Sequence, residues 1–143
     1  MAPPDSAGDG RSIVQLLRLA ASKADKGFAT RSASIEVTAR EYEVLAAVAR
    51  TDGLSQTDIM ADAGIDRSTT AELVGRLVRK SLLQRRRDKT DRRAYRVRLT
   101  DRGRAVLATA EPVSRSIETT LLQRLSPLQR SQLVEALKNI IAG

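Results

Sequence analysis

The side chains of this 143-residue chain that could do chemistry are mostly arginines. Lys plus Arg number 25 against 17 Asp plus Glu, and the chain has no His and no Cys. Lack of His removes the commonest general base and the commonest metal ligand. Lack of Cys removes disulfides, thiolate zinc sites and thiol redox switching. Catalysis would then need a carboxylate pair or a Ser–Lys arrangement. Glu41 and Glu43 face different sides of one predicted helix, and no Gly-rich phosphate loop is present. We therefore expect neither an enzyme nor a metal or cofactor site. The chemistry left to guanidinium groups is recognition of anions, above all phosphate.

The arginines are concentrated. Residues 76–104 hold 13 Lys or Arg and three acids, Asp88, Asp91 and Asp101, a net of +10, whereas the whole chain carries +8 and the remainder therefore −2. A solvated face mixes signs, so this excess predicts a surface for a polyanion. Phe28, Tyr42 and Tyr95 are the only aromatic residues, too few for a base-stacking single-strand binder. No apolar run approaches the ~20 residues of a membrane span. The basic stretch lacks the Trp or Phe of an interfacial anchor. Residues 1–11 lack the apolar centre of a signal peptide, so we expect a cytoplasmic protein.

The elements that must position these arginines follow from periodicity. Residues 1–10 read as a flexible tail. Ile13, Leu16, Leu17, Ala20 and Ala24 recur at helical spacing, predicting a helix over about 12–25. Residues 26–37 read as a connection, in which Phe28 could plug the first helix onto the body. Thr38 with Glu41 forms a capping-box pattern opening a helix over 39–50, its buried side holding Tyr42, Leu45, Ala46 and Val48 or Ala49. Ser55 with Asp58 opens a short helix over 56–63, and Gly64-Ile65 make a tight turn. Asp66 then caps a helix over 67–80 with Thr70, Leu73, Val74, Leu77 and Val78 inward. Its other side shows Arg67, Ser68, Ala71, Glu72, Gly75, Arg76 and Arg79. Residues 82–87 and 94–99 read as two strands of a hairpin with a basic tip. Thr100 caps a helix over about 101–124, in which Pro112 predicts a kink. Ser126-Pro127 starts a last helix with Leu133, Val134, Leu137, Ile140 and Ile141 on one stripe.

Two helices joined by a short turn, followed directly by a basic hairpin, make a winged helix-turn-helix. The major groove of B-DNA is ~12 Å wide and admits one helix. The first turns of the 67–80 helix would enter it, with Arg67, Ser68, Thr69 and Ala71 nearest the base edges. Arg76 and Arg79 lie farther along and would meet phosphates. An i,i+4 pair with Glu72 is open to Arg76 and is compatible with that contact. Arg85, Arg86 and Arg87 add positive charge beside them, and we assign Arg87 to the contact set with Arg92 and Arg93 of the tip.

The run Asp91-Arg92-Arg93-Ala94-Tyr95-Arg96-Val97-Arg98-Leu99-Thr100 resembles the wing signature of the MarR family of regulators, D-x-R-x-x-x-V-x-L-T, and Gly103 fits as well. Upstream, Gln56-Thr57-Asp58-Ile59, Ile65-Asp66-Arg67-Ser68-Thr69-Thr70 and Leu73-Val74-Gly75-Arg76-Leu77 resemble its helix-turn-helix. The resemblance covers about 38–141. It implies a homodimer whose N- and C-terminal helices interleave. It also implies that Arg93 enters the minor groove and that Asp91 buttresses Arg93. An effector pocket is implied near the first two helices and the start of the fifth, which Tyr42 could line, although Tyr42 reads first as ordinary core. Two departures stand out. Ser81 replaces the usual Gly after the recognition helix, and Ser is less at ease in a left-handed cap. The absence of Cys excludes thiol-based peroxide sensing.

The expected fold is mainly α (α+β): a winged helix-turn-helix with a two-stranded wing and N- and C-terminal dimerisation helices. The expected division is 11–37 for the N-terminal dimerisation helix and connection, 38–100 for the DNA-binding lobe and 101–143 for the C-terminal dimerisation helices. The expected function is a ligand-responsive repressor acting as a homodimer on a palindromic operator in double-stranded DNA. Its effector would be a small organic acid or phenol-like molecule. The alternative is an architectural or RNA-associated basic winged helix without an effector.

Overall fold

The computed structural model describes residues 8–31, 34–91 and 94–143. In chain order the elements are α1 (Ile13–Ala29), α2 (Ala39–Arg50), β1 (Leu54–Ser55), α3 (Gln56–Ala63), α4 (Arg67–Arg79), β2 (Leu83–Arg87), β3 (Tyr95–Leu99), α5 (Asp101–Leu121) and α6 (Pro127–Ala142). The chain forms two compact units. One joins α1 up to Gly27 with Ser114–Gly143, and the other is Phe28–Val113. Among the described residues no helix is long and apolar enough to cross a membrane.

The Phe28–Val113 unit has its core between α2, α3, α4 and a small sheet. Val44, Leu45, Ile59, Leu77, Leu82 and Leu83 are almost fully withdrawn from solvent. The capping boxes read from the sequence form at Thr38–Glu41 and Ser55–Asp58. Each satisfies two backbone N–H donors that a helix start would otherwise leave open. The sheet has three strands, not two. Leu54 pairs with Val97 and Ser55 with Arg96, giving the antiparallel order β1-β3-β2. A two-residue strand has no period for the sequence to display, and Gly53 turns the chain into it at φ 71°.

The buried stripe of α2 is rotated from the one its apolar residues predict. Glu41, Val44, Leu45, Ala47 and Val48 are buried, while Tyr42 and Ala46 are half-buried. The rotation brings Glu41 inside, where it meets Lys80.

Ser81 takes the left-handed conformation, φ 62°. Its N–H donates to the Val78 carbonyl at 3.0 Å and the Leu82 N–H to the Leu77 carbonyl at 2.9 Å. This pattern closes α4 in the manner usually given to glycine. Leu77 and Leu82, the two ends of that second hydrogen bond, are both fully buried. The Thr100 hydroxyl, just before α5, donates to the Ser81 carbonyl at 2.6 Å and holds the strained residue.

α1 runs to Ala29, four residues beyond the predicted end, and Phe28 in its last turn is buried with its ring 5.5 Å from that of Tyr42. α5 is unbroken through Pro112 and ends at Leu121, three residues early. In the other unit, α6 starts at Pro127 behind a Ser126–Gln129 capping box and buries none of its residues. Ile13, Val14, Leu17 and Leu19 of α1 and Leu128, Val134, Ile140 and Ile141 of α6 are all exposed.

Candidate nucleic-acid interface

α3 and α4 are set by a turn of three residues. Gly64 is left-handed, φ 66°, and its N–H returns to the Met60 carbonyl at 2.9 Å. Ile65 is buried beneath the turn. Asp66 caps α4, accepting from the Thr69 N–H at 2.8 Å, the Thr69 hydroxyl at 2.9 Å and the Ser68 hydroxyl at 3.0 Å. The Thr69 backbone donor, then the two hydroxyls, hold the Asp66 carboxyl below its ordinary pKa. Across the turn, the Gln56 amide donates to the Arg67 carbonyl at 3.3 Å, tying the starts of the two helices together.

Arg67, Ser68, Ala71 and Glu72 are exposed along the outer face of α4, with Thr69 half-buried. Ser68 and Thr69 have already spent their hydroxyl hydrogens on Asp66. What their oxygens have left is acceptor capacity. Arg76 pairs with Glu72 at 2.9 Å, the i,i+4 arrangement open to it from the sequence. Gly75 is the one residue of the outer face that the structure buries. The side chains of Arg79 and Arg85 fold over it.

The wing is β2 and β3 in the register Leu83↔Leu99 to Arg87↔Tyr95. Arg87 lies with its guanidinium 5.9 Å from the centre of the Tyr95 ring, a cation–π contact that orients it. Asp91 is exposed and its carbonyl accepts from the Ala94 N–H at 3.0 Å. Arg92 and Arg93 lie outside the described residues. Sequence reasoning missed the brace at the wing's base. Asp88 accepts from the Thr90 N–H at 2.9 Å, the Thr90 hydroxyl at 2.8 Å and Arg96 Nε at 3.0 Å. Thr90's two donors, then Arg96, bring the Asp88 carboxyl down to about 2. Arg96 also donates to the Gly53 carbonyl at 2.8 Å. The spacing Asp-x-Thr was the available signal, because it is an Asx-type turn.

A division of labour emerges among the cations. Arg96, Arg98, Arg102 and Arg104, on β3 and α5, pair with Asp88, Asp52, Glu36 and Asp101. Arg67 and Arg79 of α4 and Arg85, Arg86 and Arg87 of β2 form no ion pair among the described residues. Across α4, the two wing strands and the start of α5, the arginines without a carboxylate partner are therefore on the recognition helix and β2.

Tyr42 lines a groove of about 310 Å³ between α2 and α3, together with Arg40, Glu43, Arg50 and Asp62. Arg40 pairs with Glu43 and Arg50 with Asp62 along it. The start of α5 lines a different hollow, beside Ile35 and Glu36. A third, of about 320 Å³, has Val48, Leu99 and Leu107 in its wall and Asp52, Arg104 and Glu111 among its polar residues.

A profile of the MarR family matches residues 35–94, the span from the loop before α2 into the wing. Over this span the chain resembles the MarR family. It is 29% identical over 106 residues to the transcriptional regulator HosA of Escherichia coli O157:H7, covering 74% of this chain and 78% of HosA. It is 27% identical over 129 residues to the transcriptional repressor NicR of Pseudomonas putida, covering 90% and 82%. Among solved structures, BpsR of Bordetella bronchiseptica matches with a TM-score of 0.83 at 28% identity, covering 91% of this chain and 98% of BpsR. The DNA binding of BpsR is regulated by 6-hydroxynicotinic acid. HosA and NicR are transcriptional regulators.

Proposed function

We propose that this chain is a MarR-family regulator, a cytoplasmic, ligand-responsive repressor that binds a palindromic operator in double-stranded DNA as a homodimer. The observation that carries the reading is the set of cations on α4 and β2 without carboxylate partners, beside a helix whose first turn is exposed. Arg67, Ser68, Thr69 and Ala71 read base edges, with Ser68 and Thr69 acting as acceptors. Arg76, Arg79 and Arg87 hold phosphates. Arg92 and Arg93 extend into the neighbouring minor groove, where the negative potential favours arginine, and Asp91 buttresses Arg93.

Two further features support the assembly and the switch. The exposed apolar residues of α1 and α6 form more surface than a monomer leaves in water, and a second copy would cover them. On this reading 11–37 and 101–143 serve dimerisation and 38–100 serves DNA binding. The Tyr42 groove offers a ring and a phenol hydroxyl to a small aromatic or organic acid, whose carboxylate would compete with Glu43 and Asp62 for Arg40 and Arg50. That class agrees with the effector of BpsR. NicR, a repressor, supports the direction of control. Such a ligand acts only if it binds the DNA-incompetent state better than the competent one.

The test is selection of bound duplexes from a random-sequence pool. Recovery of one motif with two inverted half-sites supports the reading. Recovery of no motif, or equal binding of RNA, contradicts it.

A further inference from the structure

Gly75 sits in the interior of α4, where a glycine costs about 1 kcal/mol relative to alanine and calls for a packing reason. A methyl group there would lie 3.4 Å from Nη1 of Arg79 and 3.6 Å from Nη2 of Arg85. The missing side chain leaves a shallow floor, and two guanidinium groups from different elements close over it. Arg79 comes from the last turn of α4 and Arg85 from the middle of β2. Their two nitrogens are therefore separated by no more than the sum of those distances, within reach of two oxygens of one phosphate. Both side chains are exposed, and neither has a carboxylate partner among the described residues. Two like charges brought together without a counter-ion repel each other, and a bound anion relieves that repulsion.

We propose that Arg79 and Arg85, folded over Gly75, form a two-armed clamp for a single backbone phosphate of duplex DNA. The proposal rests on the DNA-binding reading and deepens it. It makes the recognition helix and the wing strand grip the same phosphate, which fixes the wing's angle relative to α4 at the moment of binding. Phosphate contacts carry register but no sequence information, so the clamp engages any duplex.

The experiment measures binding of sonicated genomic duplex DNA over a range of salt. The proteins are wild type, Arg79→Gln, Arg85→Gln, the double variant, Gly75→Leu and Arg86→Gln. Arg86 neighbours Arg85 on β2, and successive strand side chains point to opposite faces, so it controls for loss of charge alone. Each clamp variant should lose about tenfold in affinity. The double variant should lose little more than either single variant. It should also lower the slope of log K against log salt by about 0.9, the value of one phosphate. Gly75→Leu keeps every charge but spreads the arms, and it too should weaken binding, while Arg86→Gln should change affinity less than either arm. Circular dichroism confirms that each variant keeps the wild-type helix content. Single losses that multiply, with a slope falling by about 1.8, would mean two separate phosphates and overturn the clamp. Wild-type behaviour of Gly75→Leu or of the double variant would overturn it while leaving DNA binding intact. A wild-type protein with no salt-dependent duplex binding would overturn both the clamp and the proposed function.

Discussion

Lys80 Nζ donates to both carboxylate oxygens of Glu41, at 3.1 and 3.0 Å, and Glu41 is fully buried. The same ammonium reaches the Glu36 carbonyl at 3.1 Å. Glu41 also accepts from the Thr38 N–H at 3.0 Å, so one carboxylate caps α2 and anchors the end of α4. The pair thus couples the helix that carries Tyr42 to the recognition helix. Removing Lys80 leaves a buried carboxylate with only its cap. Loss of one partner of a buried pair costs ~3–5 kcal/mol, and the partial exposure of Lys80 reduces this to about 1–3 kcal/mol. Lys80→Met should therefore lower the urea midpoint clearly. Glu41→Gln, which keeps the cap oxygen, should cost less than Glu41→Ala. Equal midpoints for Lys80→Met and wild type would show that the pair holds nothing together.

Gly103 tests how closely α5 approaches the sheet. A methyl there would lie 2.1 Å from the Leu82 carbonyl oxygen and 3.2 Å from Leu99 Cδ2. The first contact is backbone, so relief requires α5 to move. Gly103→Ala should destabilise by at least ~1–3 kcal/mol, the usual range for overpacking, despite alanine's better helix propensity. Chemical denaturation measures it. Stability equal to or above wild type would contradict the close packing.

The depressed carboxyls of Asp66 and Asp88 set an acid limit on the interface. A folded-state pKa below the unfolded one adds stability that is present above the unfolded value and lost as pH falls through the folded value. For Asp88 the window runs from its ordinary 3.8 down to about 2. For Asp66 the direction is the same. Amide chemical shifts of Thr90 and Thr69, which donate to these carboxylates, should move on acidification below pH 3.8. Asp88→Asn should abolish the Thr90 transition. A Thr90 shift centred at 3.8 in the wild type would refute the brace.

Much of the fold was legible in the sequence because its signals are local. Thr38–Glu41, Ser55–Asp58, Gly64 and Asp66 each act within a few residues, and they place the starts of α2, α3 and α4 where the structure has them. What escaped depends on distant partners. Glu41 turns inward because of Lys80, 39 residues away. β1 exists only because β3 lies alongside it. Gly75 reads as part of an open face until Arg85 of β2 closes over it. Ser81 breaks the local preference for glycine because the Leu82–Leu77 backbone hydrogen bond, between two buried residues, and Thr100 hold it. The arginines of the interface were visible as a cluster. Which of them are free of carboxylates was not, since that needs the pairings of Arg96, Arg98, Arg102 and Arg104.

The wing tip carries its own prediction. Arg93→Ala should weaken binding to the selected site by about 1–3 kcal/mol, with a smaller loss for Asp91→Ala. Because both act through one contact, the double variant should lose less than the sum. Additive losses in fluorescence-anisotropy titrations would mean that Asp91 does not position Arg93.

In the proposed complex two copies of α4 read one stretch of duplex. Hydroxyl-radical footprinting on the selected site tests it most directly. We predict two symmetric patches of protection related by a two-fold axis, with half-site centres one helical turn, ~34–36 Å, apart or a multiple of it. Each patch should fade with Arg67→Ala and shift to higher protein concentration with Arg79→Gln. A single asymmetric patch, or uniform protection without sequence boundaries, would contradict the account.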